Sequence, residues 1–431
     1  MYKADWSELP KELLTEISQH LNDKVNVRRF RAVCTTFRSS ANLISSLALK
    51  LPSPIKSINN EETPSRFCVL LETTIYAVRL PHEAGNSNGG GGGDSQVWVI
   101  KVEGKIGKDK VVQLVNPLSR VQIKPLPRNF PKVFQLLDFH VVELCKEYVL
   151  KHHHSELQEA YLVQIPNSQY SVEVKELYVG EVDVKKVVIL SSNPNLPTND
   201  DVYGVMVLCR EGNLVLIKPK ENQKWNVLDE DYRFRDVVSY NGNFYAVDAA
   251  GRAVVVDTNL ELNVVAEPPV TVGGGTEKRL VISDGDLFLV DVYMYSGSDD
   301  SDGDENGDQT ESDDEEIPLV LDYEAIPCEF EVYKLDECNL RWVRVEDLGG
   351  RVFVIGERSS FSVWPRDLSR HKGNCIFFMD GLYTSYGAEE DREVYIHNTG
   401  LFSLEDKKIG PGSFASYNQL FWPPPSWIMP N

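Results

Sequence analysis

No two of the seven cysteines (Cys34, Cys68, Cys145, Cys209, Cys328, Cys338 and Cys375) form a Cys-x-x-Cys pair, and their number is odd. That scatter removes the zinc-ribbon and dithiol-oxidoreductase readings and argues against a secreted disulfide framework. The chain also lacks an Asn-x-Ser/Thr glycosylation acceptor, an apolar run long enough to cross a bilayer, and an apolar leader after Met1. The expectation is a soluble chain of a reducing compartment, nucleus and/or cytoplasm, with no membrane partner. Clustered Lys and Arg are missing too, so there is no import signal and no stripe suited to a nucleic-acid backbone.

Basic residues are absent altogether from residues 296–316, "SGSDDSDGDENGDQTESDDEE", where eleven acids account for about half of the formal charge of −21. Such a run is excluded from any core and reads as an inserted loop. The Gly-rich stretch "NSNGGGGGDS" (86–95) reads as a second insert; no Lys-Ser/Thr and helix follow it, so the phosphate-cradle reading fails. The chain as a whole has 42% apolar and 10% aromatic residues over 431 positions, enough for a large folded domain with an appendage, or for two to three domains.

Helical signals are confined to the first fifty residues. In "DWSELPKELLTEISQHL" (5–21) Pro10 suits a first helical position and Glu12 the first turn, while Leu13, Leu14, Ile17 and Leu21 recur at helical spacing. A second helix is expected from Asp23, with Val27, Phe30, Val33, Cys34 and Phe37 as its stripe, and a third over residues 42–49, stopped by Pro52. The puzzle is what covers the apolar face of so small a unit.

From about Arg66 the period becomes two. "REGNLVLI" (210–217), "YNGNFYAV" (240–247) and "SDGDLFLV" (283–290) each set a glycine in a tight polar turn before an alternating strand, with "MDGLYTS" (379–385) a weaker copy. Gly212, Gly242 and Gly285 are 30 and 43 residues apart, loosely matching the roughly 40–50 residues of a four-stranded propeller blade. "KWNVLDEDY" (224–232) and "RWVRVEDLGGRVFVIG" (341–356) add a repeated Trp-bearing element that resembles a kelch-type blade. The predicted fold is mainly β, a kelch-like propeller of roughly six to seven blades behind the helices; a β-sandwich array is the competing architecture.

No chemistry-bearing constellation emerges. His152, His153 and His154 sit in a polar stretch, and His140, His371 and His397 have no partner at metal-ligand spacing. Cys375, flanked by strand apolars, reads as a buried structural thiol. Asp236, Asp248 and Asp257 read as turn carboxylates bonding backbone N–H groups. "WPPPSW" (422–427) reads as a strand-end seal in preference to a polyproline ligand. No catalytic residue, cofactor or metal is expected.

Residues 5–40 resemble the F-box, the module through which substrate receptors of SCF-type ubiquitin ligases dock on a Skp adaptor. The matching positions are Leu9-Pro10, Leu13, Leu14, Ile17, Leu21 and "FRAVCTTFR" (30–38), with Phe37 standing where the family usually has Trp. The resemblance implies that Leu9, Pro10, Leu13, Leu14, Ile17, Leu21, Phe30, Val33, Cys34 and Phe37 form the adaptor-binding set. Residues from about 66 to 431 resemble the propeller of plant F-box proteins of the KIB type, in "DLGGRVFVIGERSSFSVWPRDL" (347–368), "KGNCIFFMD" (372–380) and "WPPPSWI" (422–428). The division implied is an F-box over 1–50 and a propeller over 66–431. The function implied is that of a non-catalytic substrate-recognition subunit: the F-box binds a Skp-type adaptor and through it a cullin, while the propeller recruits an unidentified protein for ubiquitination. The alternative is an F-box/propeller scaffold or sequestering protein outside the ligase, separated by whether a cullin is co-recovered. Ser296, Ser301, Thr310 and Ser312 each have an acid three residues on, the pattern acidophilic kinases prefer, so phosphorylation there could tune binding of a basic partner.

Overall fold

Asp23 accepts a hydrogen bond from Asn26 N at 2.6 Å; this satisfies one of the orphan N–H groups at a helix start and fixes where α2 begins. The structure, a computed structural model, describes residues 9–42, 47–52, 67–80, 97–104, 112–118, 129–131, 138–152, 160–164, 171–175, 184–221, 224–228, 232–257, 261–270, 274–295, 326–368, 372–380, 398–410, 420–421 and 426–428. Three helices open it: α1 (Lys11–Gln19), α2 (Lys24–Ala32) and α3 (Thr35–Ser40). Pro10 is the cap residue of α1 and stands one position before its first turn.

Two helical expectations need correction. The stripe from Val27 to Phe37 is not one helix, because Cys34 is extended (φ −162, ψ −179) and caps α3. No third helix spans 42–49: residues 48–52 form strand β1 (Ala48–Pro52), paired antiparallel with residues 67–71. Leu47 and Leu51 are buried there with Cys68, Leu70 and Leu150, and this long-range burial outweighs a weak local preference. The helices are tied by the Phe30 and Phe37 rings, 4.7 Å apart, by Ser18 Oγ donating to Ser40 O at 3.2 Å, and by Arg31 donating to Arg38 O at 2.8 Å.

The period-two segments form five units, antiparallel throughout except for the parallel pairing of residues 352–355 with 375–378 in the fifth. The first comprises β2 (Phe67–Arg79), β3 (Trp98–Gly104), β4 (Val112–Val115) and β5 (His140–His152). A hairpin of β6 (Ala160–Gln164) and β7 (Ser171–Lys175) pairs with itself. The second unit comprises β8 (Lys186–Ser191), β9 (Val202–Leu208), β10 (Leu214–Ile217) and β11 (Asn226–Leu228), and the third β12 (Phe234–Tyr240), β13 (Asn243–Asp248), β14 (Ala253–Val256) and β15 (Leu262–Ala266). The fourth holds β16 (Glu277–Ser283), β17 (Asp286–Tyr295), β18 (Ile326–Asp336) and β19 (Arg341–Val345). The fifth holds β20 (Val352–Ile355), β21 (Ser360–Val363), β22 (Cys375–Asp380), β23 (Asn398–Ser403) and β24 (Lys408–Ile409), in the order β21-β20-β22-β23-β24. Units one and two touch through a single ladder pair, Tyr148 with Val187.

Side chains close these units into a ring. Separate apolar clusters join unit one to two (Leu70 with Val205), two to three (Met206 with Phe244), three to four (Val247 with Leu289), four to five (Val290 with Phe353) and five to one (Phe377 with Ile75). The innermost strands β5, β8, β12, β16 and β21 are neighbours in that same cyclic order. This is the radial arrangement of a β-propeller and not two facing sheets. Where the sequence spacing suggested roughly six to seven blades, the described strands make up five units.

Local signals recur at the expected places. Asn241-Gly242 (φ 47 and 76) and Asp284-Gly285 (φ 50 and 84) carry positive φ at both central turn positions, the type I′ geometry that matches strand twist. The two Trp-bearing elements lead into fourth strands, and each indole N–H reaches back to the preceding unit's backbone. Trp225 Nε1 donates to Pro52 O and Trp342 Nε1 to Gly251 O, both at 2.9 Å. The C-terminal segment packs against the ring: Leu420 and Phe421 join the five-to-one cluster, and Trp98 Nε1 donates to Phe421 O at 3.1 Å. The prolines of "WPPPSW", the 86–95 and 296–316 stretches and Gly381 lie outside the described residues.

Candidate functional site

Side chains four apart on a helix share a face, and on α1 the two faces have opposite fates. Leu14 is fully buried, and with Val27 and Phe37 it forms the interior of the helical unit. Leu13 and Ile17 are 47% and 43% exposed, and Val33, just past α2, is 59% exposed. Leu9, Leu21, Phe30 and Cys34 are half-buried, and Pro10 is exposed. The structure therefore divides the ten expected adaptor-binding residues. Leu14 and Phe37 hold the helices together, whereas Leu13, Ile17 and Val33 present apolar surface that nothing in this chain covers among the described residues.

The helices lean on the ring through a different face. Val25 of α2 is buried with Tyr76, Val78, Trp98 and Ile100 of unit one, and Ile428 joins the same cluster. Lys24 Nζ meets Glu72 Oε1 at 2.8 Å, with side chains only 10% and 2% exposed. Arg29 donates to Phe139 O at 2.8 Å. Thus α2, not α1, seals the helices against the strand domain and leaves the outer face of α1 open. Nothing in the sequence singled out Lys24 or Arg29, whose partners lie 48 and 110 residues away.

A consequence concerns the helix–ring seam. Lys24→Ala strands the buried Glu72 carboxylate, which is costly without its partner. Amide exchange in α2 should accelerate by roughly tenfold or more, while β12–β14 keep their protection. Unchanged α2 exchange would show that the ion pair does not hold the seam.

The remaining sequence candidates resolve individually. Arg79 Nε donates to His140 Nδ1 at 3.2 Å, and burial together with the Arg79 charge lowers the pKa of this imidazole. His153, His154, His371 and His397 lie outside the described residues, as do Ser296, Ser301, Thr310 and Ser312. Among the described residues no group of three or more His, Cys, Asp or Glu side chains could hold a metal ion. Asp248 and Asp257 act as turn carboxylates, accepting from Arg252 N at 2.9 Å and Glu261 N at 2.8 Å. Asp236 also accepts from backbone N–H groups, Val237 N and Leu280 N, both at 2.8 Å, but it lies within β12 and not in a turn: 1% exposed, it accepts from Lys186 Nζ at 2.7 Å as well and clamps the inner strands of units two, three and four. A lone Asp in an alternating strand carries no sequence signal of such a role.

Burial raises the thiol pKa to about 12 at Cys68, Cys145 and Cys375 and to about 11 at Cys209. The reactive form is the thiolate, and a raised pKa lowers its fraction at any working pH. At pH 8 an aromatic disulfide reagent should modify the exposed Cys328 and Cys338 rapidly and reach those four only after urea is added. Fast native modification of Cys375 would contradict its structural role.

A model of the KIB1-4 beta-propeller family matches residues 67–403. The Arabidopsis thaliana F-box protein SKIP23 is 30% identical over 445 aligned positions, spanning 99% of this chain and 96% of its own. The Arabidopsis F-box protein At2g17036 is 29% identical over 98% and 95%, and a putative F-box/kelch-repeat protein of the same plant is 25% identical over 99% of both. Among solved structures, the Synechocystis apocarotenoid oxygenase aligns over 81% of both chains at 10% identity with a TM-score of 0.27, a likeness that carries no argument.

Proposed function

The chain belongs to the KIB1-4 beta-propeller family, and from that premise we propose that it is the substrate-recognition subunit of an SCF-type ubiquitin ligase. Its full-length relatives are F-box proteins, in keeping with an adaptor-docking role for the helical N-terminus. The docking face is Leu13, Ile17 and Val33, rimmed by Leu9, Pro10, Leu21, Phe30 and Cys34. The observation that carries this reading is the open apolar face of α1 on helices otherwise packed and pinned to the ring. Each leucine or isoleucine buried by a partner contributes about 1.5–3 kcal/mol, so a few such anchors support a stable complex.

This reading divides the labour between the two parts of the fold. The helices hold the adaptor, and through it a cullin, at one edge of unit one, while the ring offers its loops to the protein to be ubiquitinated. A receptor of this kind performs no bond chemistry: it raises the effective concentration of its target near a charged enzyme elsewhere in the assembly. The chain is assigned to the nucleus and/or cytoplasm, where that machinery acts.

Tagged wild-type protein recovered from plant cells should bring down both the adaptor and a cullin. Adaptor without cullin would shift the reading to a scaffold or sequestering protein. Neither, from well-folded protein, would overturn the docking face itself.

A further inference from the structure

Three units deliver charge to one end of the ring axis. Lys185 stands just before β8, Arg235 is the second residue of β12, and Glu277 and Arg279 are the first and third of β16. These are innermost strands of units two, three and four, and residues two apart on a strand share a face. Three cations converge there on one carboxylate. Lys185 Nζ and Arg279 Nη2 lie 3.6 and 3.8 Å from Glu277 Oε2, and Arg235 Nη1 lies 3.8 Å from Glu277 Oε1. Beside them Lys186 and Asp236 neutralise each other at 2.7 Å. Among the described residues this mouth holds four cations against two carboxylates, in a chain whose formal charge is −21.

The donors of the cluster are not spent on Glu277. Separations of 3.6 and 3.8 Å are charge contacts, too long for hydrogen bonds. Arg235 Nε is buried with no acceptor among the described residues, and a buried N–H left unmet costs free energy. Burial, and after it the charge of Arg279, lower the pKa of Lys185, as crowded cations do where anions are too few. The mouth is nonetheless open, since the Arg235 side chain is 42% exposed.

We propose that this mouth binds a phosphate monoester dianion carried on a protein chain, a phosphorylated Ser or Thr of the partner that the ring recruits. Such a group carries a charge of about −2 and three acceptor oxygens, matching the surplus of cations and the three converging side chains. Guanidinium forks meet phosphoryl oxygens in pairs. An open mouth cannot bury most of the surface of a small metabolite, whereas a phosphoryl group on a chain needs only its oxygens met. The acidity of the rest of the molecule disfavours other docking positions for so negative a group. That the partner is a ubiquitination target rests on the proposed function; the site itself does not.

The test titrates the full chain into a fluorescein-labelled peptide, Gly-Ser-Gly-phosphoserine-Gly-Ser-Gly, followed by anisotropy at low ionic strength. The peptide should bind saturably at one site and its unphosphorylated form at least tenfold more weakly. A peptide with two glutamates in place of the phosphoserine, equal in charge, should bind several-fold more weakly. Arg235→Gln and Arg279→Gln should each lower affinity about tenfold. Lys334→Gln, a cation paired with Asp286 at the opposite end of unit four, should leave it unchanged. If Arg279→Gln fails to fold, the exposed Arg235 decides the matter. Equal binding of the unphosphorylated or diglutamate peptide, undiminished binding by Arg235→Gln, or tighter binding of inorganic phosphate than of the phosphopeptide would each overturn the proposal. Phosphopeptide binding by a protein that recovers no adaptor would keep the site and refute the ligase reading; adaptor recovery without phosphopeptide binding would do the reverse.

Discussion

Leu13→Arg together with Ile17→Arg is expected to abolish Skp-adaptor binding while leaving the protein folded. Both side chains are nearly half exposed in the free chain, so replacing them removes little packing energy. In the complex each would forfeit about 1.5–3 kcal/mol of burial, and each introduced charge would have to be desolvated at an apolar interface. At 1.4 kcal/mol per decade, the pair loses on the order of a thousandfold or more in affinity. Leu14→Arg is the contrasting change. Leu14 is fully buried, so a charge there should melt the helical unit and lose the adaptor by unfolding. Circular dichroism and co-purification with a plant Skp adaptor distinguish the two routes. Undiminished adaptor binding by the folded Leu13→Arg, Ile17→Arg protein would rule out the proposed face.

The second large effect is internal to the ring. Lys278 on β16 stands directly across from Asp291 on β17. Their ammonium and carboxylate meet at 2.5 Å with both side chains 0% exposed, and Lys278 Nζ also donates to Gly275 O. The approach is so close that a Cβ on Gly275 would stand 2.5 Å from Asp291 Oδ1 and 2.4 Å from Val292 O; only glycine fits. Asp291→Ala leaves a buried ammonium uncompensated and should cost about 3–5 kcal/mol. The double replacement Lys278→Met, Asp291→Leu removes both charges at similar volume and should fall within about 1–2 kcal/mol of wild type or above it. Urea denaturation of the three proteins checks this. A double variant as unstable as Asp291→Ala would show that the pair stabilises the fold beyond satisfying its own charges.

Such a pair explains why part of this molecule was invisible in one dimension. Lys278 and Asp291 sit in alternating strands where either could face water, and the register that buries both is set by neighbouring strands. Asp236 misled for the same reason: its carboxylate looks like a turn acceptor until β8 and β16 arrive on either side. Residues 42–49 read as helix because their leucines suit either period, and only burial against Cys68, Leu70 and the second unit decides for strand from residue 48. The break at Cys34 is a choice of packing angle between α2 and α3, and no proline or glycine marks it.

Sequence alone determined the features that depend on near neighbours. Paired positive-φ residues at Asn241-Gly242 and Asp284-Gly285, the repeated Trp at the start of fourth strands, the helical start with its apolar stripe, and the family resemblance in "DLGGRVFVIGERSSFSVWPRDL" and "FRAVCTTFR" were all legible, because turn chemistry and periodicity are local. Tertiary structure alone decided which side of that stripe faces outward and that five units close through side-chain clusters. Those outcomes depend on burial between residues far apart in the chain, and burial is a property of the assembled fold, not of any one segment.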